Sequence, residues 1–469
     1  MPRGRLMLWT TLALAGLGGC ATAPIQNERL DHFSPRYGYR FENIAPGDGN
    51  SDSLFVVLTF SGGGTRAASF SFGVLEKLRD VTVRWEGRQR SLLDEVDVIS
   101  SVSGGSLTAA YYGLFGERIF EEFADKVLYK PVQNILLRKL LGLSNHIKLA
   151  SPFYGRTDLM AEALDVDIFE KSTFADLLAR NRRPFIIINA TDMSLGRRFA
   201  FTQDHFDLLY SDLGTYPVGH AVAASAAYPG FLTPLTLRNY DNAGDYQLPG
   251  WTREQLAHGD PDKSDFKLAR DMQSYIVPGR PYVHLIDGGV CDNLGLLPVL
   301  RALHGPVAVA LKAPVPRDGR PQKVVVITVN AARKVTPNWD QRPHVVGLGG
   351  VLNAVSSTPI VNFSQAQMEY LDLFIEKQQE THRIVSTLRD LLCEACAKAA
   401  LSRLVDHEID YRFIEVAFER VGDEGRRAEL NEIPTTFRLP RESVDKLREA
   451  SATILDSHPV FQRLVAELQ

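Results

Sequence analysis

Two short stretches combine residue types that can expose a hydroxyl nucleophile and stabilise an oxyanion. The first is Ser61-Gly62-Gly63-Gly64-Thr65-Arg66, set between an apolar run ending at Phe60 and a helical pattern starting near Ala67. Three glycines let the backbone pass close to a ligand and turn its N–H groups toward an anion, and the positive end of the following helix adds to that field. A Walker loop would end in Gly-Lys-Ser/Thr and a dinucleotide fingerprint would read G-x-G-x-x-G; neither is present. An oxyanion hole built from Gly62, Gly63 and Gly64 fits better, against the plainer reading of a tight strand-to-helix turn with no ligand. The second stretch, Ser100-Ser101-Val102-Ser103-Gly104-Gly105, again lies between a strand pattern and a helix. A nucleophile elbow needs small residues two positions before and after the serine. Ser103, with Ser101 and Gly105 around it, meets that demand better than Ser101 or Ser106. A plain Ser/Gly turn is the alternative.

Two more blocks follow in order. They are Ala224-Ser225-Ala226-Ala227-Tyr228-Pro229-Gly230-Phe231-Leu232-Thr233-Pro234 and Asp287-Gly288-Gly289. Taken together, the four blocks resemble the patatin-like phospholipase family, with its G-G-G-x-R loop, G-x-S-x-G nucleophile, A-S-x-A-x-P-x-x-F-x-P stretch and D-G-G/A aspartate. The matching positions are Gly62, Gly63, Gly64 and Arg66, then Ser103, then Ser225, Pro229, Phe231 and Pro234, then Asp287, Gly288 and Gly289. The departure is Ser101, which stands where the elbow's first glycine is expected. The resemblance covers residues 54–330 and implies a three-layer α/β/α fold with a mostly parallel central sheet. It also implies a serine acyl hydrolase of phospholipase A type working through a Ser103–Asp287 dyad without cofactor or metal, its substrate a membrane lipid. A carboxylate is a weak base near neutrality, so such a dyad requires a desolvated aspartate and strong oxyanion stabilisation. Two roles are open for Arg66: binding a substrate phosphate, or pairing with a carboxylate to shape the loop. A Ser-His-Asp esterase using His304 or His344 is the other enzymatic reading. A non-catalytic, lipid-anchored binding protein of the envelope is the reading from a different class. His284, three residues before Asp287, falls on the opposite face of a regular strand and reads as packing.

These residues need a scaffold, and the apolar pattern supplies one. Strand-like runs occur at 54–60, 96–99, 185–188, 282–286 and 324–329, with helical patterns such as 67–79 and 107–114 between them. That alternation predicts a mostly parallel sheet covered on both faces. From Asn362 onward the pattern is helical, with Met368, Leu371, Phe374 and Ile375 at helix spacing, a possible strand at 411–418 and a last helix at 444–455. Residues 331–469 thus read as a mostly helical C-terminal extension. Residues 239–280, rich in Asp, Gly and Pro, read as a surface insertion. The apolar stretch 132–143, with Arg138 and Lys139, is a candidate lid or interfacial helix or else an ordinary packed one.

Composition narrows the choice further. The chain has 469 residues, 45% of them hydrophobic, with 52 Lys+Arg against 56 Asp+Glu. That is enough apolar content for a large core, and it leaves no basic footprint for nucleic acid. Arg3 and Arg5 precede an apolar run from Leu6 to Leu17, which reads as residues 1–19 of a secretory signal, too short to span a bilayer. Leu17-Gly18-Gly19-Cys20 resembles the lipobox of bacterial lipoproteins. The implied product is anchored through acylated Cys20, with residues 20–53 as a tether outside the fold, in the bacterial envelope and, lacking an acidic residue after Cys20, at the outer membrane. An ordinary signal peptide with an incidental cysteine is the alternative. Cys291, Cys393 and Cys396 are too few for a disulfide framework.

Overall fold

The computed structural model describes residues 27–47, 50–51, 53–130, 148–149, 151–240, 246–304, 323–334, 343, 347–391 and 409–469. Cys20, the signal segment, the 132–143 stretch, His344, Cys393 and Cys396 lie outside the described residues.

All five apolar runs are strands of one sheet. These are β2 (Leu54–Phe60), β5 (Val96–Val102), β6 (Phe185–Asp192), β10 (Tyr282–Asp287) and β11 (Lys323–Asn330). With β9 (Leu235–Arg238) and β12 (Asp410–Ala417) the order is β12-β11-β2-β5-β6-β10-β9, β7 (Arg197–Ala200) pairs with β6, and β3 (Thr82–Trp85) and β4 (Arg88–Ser91) form a separate hairpin. Strands β12, β11, β2, β5 and β6 run parallel, whereas β10 is antiparallel to both β6 and β9. Parallel strands buried on both faces need apolar residues at odd and even positions alike, which is why these runs are continuous rather than alternating. Val56, Leu58 and Phe60 enter one core. Val57 enters a second, with Leu296, Val299, Val326 and Leu371.

Helix α1 (Gly64–Asp80) follows β2, and α2 (Gly104–Phe115) follows β5. Both pack on the first core, with α3 (Arg156–Asp167) and α4 (Val218–Ser225). On the other face lie α7 (Leu297–His304) and the 44-residue α8 (Leu348–Leu391), whose Leu371 and Phe374 are buried. The three-layer arrangement expected from the sequence is present.

Three boundaries differ from the expectation. The region 20–53 is not wholly a tether, because described residues from Asn27 onward are built into the fold. The Asn27 amide donates to Ser211 Oγ at 3.0 Å and to the Arg238 carbonyl at 2.8 Å, and β1 (Glu28–Arg29) pairs with β8 (Ser211–Asp212). Tyr39 is buried, its hydroxyl accepting from the Ile186 N–H at 2.8 Å, and Arg40 pairs with Asp204 and Asp207. Polar residues that satisfy buried partners look, in sequence, like a solvated linker. Nor is 331–469 an appendage. β12 forms a sheet edge, and α9 (Arg441–Ser457) lies on α1 so closely that a Cβ on Gly73 would overlap the Arg448 carbonyl oxygen and Ser451 Oγ. Arg448 clamps Glu76 across that contact at 2.7 and 3.0 Å. The third is the 239–280 insertion, which holds helices α5 (Gly250–His258) and α6 (Ser264–Ile276) and buries Tyr246, Leu248 and Tyr275.

Candidate active site

Ser103 occupies the turn between β5 and α2 with φ 50° and ψ −119°. A non-glycine residue at such angles costs on the order of 1–3 kcal/mol, which the surroundings must over-determine. They do so through hydrogen bonds: the Ser103 N–H donates to Ser225 Oγ at 2.8 Å, and the Ser225 hydroxyl donates to the Asn189 carbonyl at 2.6 Å. Gly104 and Gly105 are required by close approach. A Cβ on Gly104 would overlap the Gly64 carbonyl oxygen, and one on Gly105 would stand 2.7 Å from Phe60 Cβ and the Ser61 carbonyl oxygen. Ser101 is accommodated because its hydroxyl donates to the Ile187 carbonyl at 3.1 Å.

The glycine loop lies directly against this turn. A Cβ on Gly62 would be 3.4 Å from Ser103 Cβ. Gly62 nevertheless differs from its expected role, because its N–H donates to the Asn293 carbonyl at 3.0 Å and serves to fix the loop. Gly63 (φ 144°) and Gly64 (φ 60°) adopt conformations that favour glycine, and their amides meet no acceptor among the described residues. These two N–H groups, at the start of α1, are the ones open to an oxyanion. The loop is held from behind by the C-terminal region, with Thr65 N–H donating to the Thr436 carbonyl at 2.8 Å and Ala331 N–H to Ser61 Oγ at 2.9 Å.

Arg66 completes that anchorage. It is 3% exposed; its Nε donates to the Ala331 carbonyl at 2.8 Å and its Nη1 to the Ile433 carbonyl at 3.0 Å. Burial, with Arg333 nearby, pulls its pKa down to about 9. The phosphate-binding expectation is therefore replaced by a structural one, with main-chain carbonyls rather than a carboxylate as partners. Arg66→Ala leaves both carbonyls buried and unpaired, a loss of about 2–4 kcal/mol of stability. Activities on a phospholipid and on a short uncharged ester should fall by the same factor. Selective loss on the phospholipid, measured side by side with thermal unfolding, contradicts this assignment.

Asp287 ends β10. Its N–H donates to the Ala227 carbonyl and the Gly288 N–H to the Ser225 carbonyl, both at 3.0 Å. The block 224–234 is thus a staple between the turn that carries Ser103 and the strand that carries Asp287. A Cβ on Gly288 would overlap the same Asn189 carbonyl oxygen that Ser225 uses, so glycine is needed there too. Asp287 is 5% exposed, and its carboxylate accepts from the Gly289 N–H at 2.7 Å. Burial pushes its pKa up to about 6, opposed by the Gly289 amide and the Ser103 hydroxyl. His284 is tied through Nδ1 to Thr236 Oγ1 at 3.0 Å.

Asn189 was not legible as a site residue. Its side chain donates to Ser100 Oγ and the Ser101 carbonyl at 3.0 Å and accepts from Arg198 at 2.8 Å, holding β5 against β6 just below Ser103. The available signal was a polar residue continuing the apolar run Phe185–Ile188.

A three-layer fold with a strained serine turn, two glycine amides without an acceptor among the described residues and a buried aspartate is an arrangement suited to acyl transfer. Residues 58–300, just over half of the chain, match the family described as patatin-like phospholipase, and the chain belongs to that family of lipid acyl hydrolases. Among solved structures it is similar to human GIVD cytosolic phospholipase A2, at 14% identity over 59% of this chain and 45% of that chain with a TM-score of 0.35. It is also similar to VipD from Legionella pneumophila, at 12% identity over 87% of this chain and 67% of that chain with a TM-score of 0.29. The chain spans less than half the length of the human enzyme it matches. No curated protein matches its sequence.

Proposed function

We propose that the protein is a serine acyl hydrolase of lipid esters that uses Ser103 and Asp287 as a dyad. The observation that carries this reading is a strained Ser103 turn set against a buried Asp287 carboxylate whose charged form the Ser103 hydroxyl favours, next to the Gly63 and Gly64 amides, which meet no acceptor among the described residues. Asp287 takes the proton as Ser103 Oγ attacks the acyl carbonyl, and the developing oxyanion is received by the two amides at the start of α1. Asp287 then returns the proton to the leaving alcohol as the tetrahedral intermediate collapses to an acyl-enzyme. In the second half-reaction Asp287 deprotonates a water that attacks the Ser103 ester, and the proton passes back to Ser103 as the fatty acid leaves. A pKa near 6 makes the carboxylate a stronger base than an exposed aspartate while leaving it ionised at neutral pH.

The sign of the pH dependence follows. The base form is the active one, so kcat/KM on an uncharged ester should rise about tenfold per pH unit below pH 6 and level off above it. A profile flat from pH 5 to 8 contradicts Asp287 as the base.

The same proposal includes anchorage at a bacterial outer membrane through acylated Cys20, supported by its place directly after the apolar run Leu6–Leu17. Cys20→Ser should block processing or release the protein from membranes. Unchanged membrane association of that variant overturns it.

A further inference from the structure

A cavity of about 490 Å³ opens where α3, α4, β9 and the start of β10 meet, and neither Ser103 nor Asp287 lines it. His284, on its wall, precedes Asp287 by three residues of strand, which places the cavity about 10 Å along β10 from the carboxylate. Three buried polar atoms on its wall lack a hydrogen-bond partner among the described residues, the Tyr154 hydroxyl and the pair that follows. The hydroxyl of Tyr216, 0% exposed, and Nδ1 of His220, 5% exposed, have no hydrogen-bond partner among the described residues. Unpaired buried polar atoms cost on the order of 1–3 kcal/mol each, so a pair of them on the wall of one open cavity asks for an occupant. Tyr216 and His220 are one helical turn apart across the start of α4, with ring centroids 6.1 Å apart in an edge-on arrangement, so a single small polar group can reach both.

The lining fixes the class of that group. Among the described residues it contains no Lys or Arg to receive a phosphate or carboxylate, and burial pulls the pKa of His220 down to about 4, so its imidazole is neutral. Asp158, the one carboxylate among the described lining residues, already accepts from the Gly155 N–H at 2.8 Å and opposes a second anion. A quaternary ammonium has no donor or acceptor for Tyr216 and His220. An uncharged hydroxyl has both: it can accept from the Tyr216 O–H and donate to His220 Nδ1, or the reverse. The mouth is apolar, with Phe153 59%, Met193 50% and Tyr282 47% exposed.

We propose that this cavity is a binding site, separate from the catalytic pair, for an uncharged hydroxyl-bearing amphiphile of the monoacylglycerol type, its hydroxyl held by Tyr216 and His220 and its chain lying on Phe153, Met193 and Tyr282. The site stands whether or not Ser103 is the nucleophile.

The test is calorimetric titration of the full chain carrying Ser103→Ala, which prevents turnover, with 1-octanoylglycerol, octanoate and octyltrimethylammonium, each kept below its aggregation concentration. Binding of 1-octanoylglycerol at least tenfold tighter than either charged analogue is expected. Adding Tyr216→Phe removes only an unpaired hydroxyl, so it should leave the thermal midpoint unchanged or higher and weaken 1-octanoylglycerol by about three- to tenfold. Phe153→Ser, at an exposed position, should weaken it through the chain and serves if the buried variant is poorly folded. No binding of 1-octanoylglycerol, equal binding of a charged analogue, or affinity untouched by both variants overturns the proposal.

Discussion

Ser103→Ala and Asp287→Asn should each reduce ester turnover on the order of 10⁴-fold, and the double variant should be little worse than either alone. In the proposed dyad the two residues share one proton: without Ser103 Oγ there is nothing for Asp287 to deprotonate, and without the carboxylate the hydroxyl stays a weak nucleophile. Residual activity belongs to the Gly63 and Gly64 amides, which neither substitution touches. Asp287→Asn preserves the shape of the side chain, so its thermal midpoint should stay close to that of the wild type while activity is lost. Losses that multiply in the double variant, read from steady-state rates on one ester, would show that the two residues act independently.

Gly104→Ala should be nearly as damaging although it removes no reacting group. The added Cβ would overlap the Gly64 carbonyl oxygen, and the peptide that carries that oxygen is held in place because its Thr65 N–H donates to the Thr436 carbonyl at 2.8 Å. The serine turn and the oxyanion loop must therefore move apart. A displacement of about 1 Å between nucleophile and oxyanion donors costs on the order of 10²-fold in rate. The fall should appear in kcat more than in KM, because the amides act on the transition state rather than on the bound ester. Wild-type kcat in a folded Gly104→Ala protein would mean that the contact between the two loops is not needed for catalysis.

What the sequence made legible was whatever it wrote in continuous apolar runs or glycine-rich turns. The strand at 54–60 is apolar at six of its seven positions and the run at 185–188 at all four, and the blocks around Ser103 and Asp287 combine small residues that only a crowded turn requires. What stayed hidden was written in polar residues with distant partners. Asn27, Tyr39 and Arg40 read as a linker until Ser211, Ile186, Asp204 and Asp207 are brought to them. The glycine loop's composition could not say that the Gly62 amide is used by Asn293, leaving only Gly63 and Gly64, because Asn293 is more than two hundred residues away. Arg66 misled for the same reason: an arginine beside a glycine loop suggests an anion, whereas its acceptors, the carbonyls of Ala331 and Ile433, arrive from a C-terminal region with no motif of its own.

The most direct test of the central claim is covalent. An alkyl fluorophosphonate reacts with a serine only where a base activates the hydroxyl and donors receive the phosphoryl oxygen, the two conditions that Asp287 and the Gly63 and Gly64 amides are proposed to supply. Peptide mass spectrometry of the labelled full chain should find one adduct, on Ser103, with labelling abolished in Ser103→Ala and slowed at least a hundredfold in Asp287→Asn. Labelling of Ser103→Ala at the wild-type rate, or an adduct carried by another serine, would contradict the dyad.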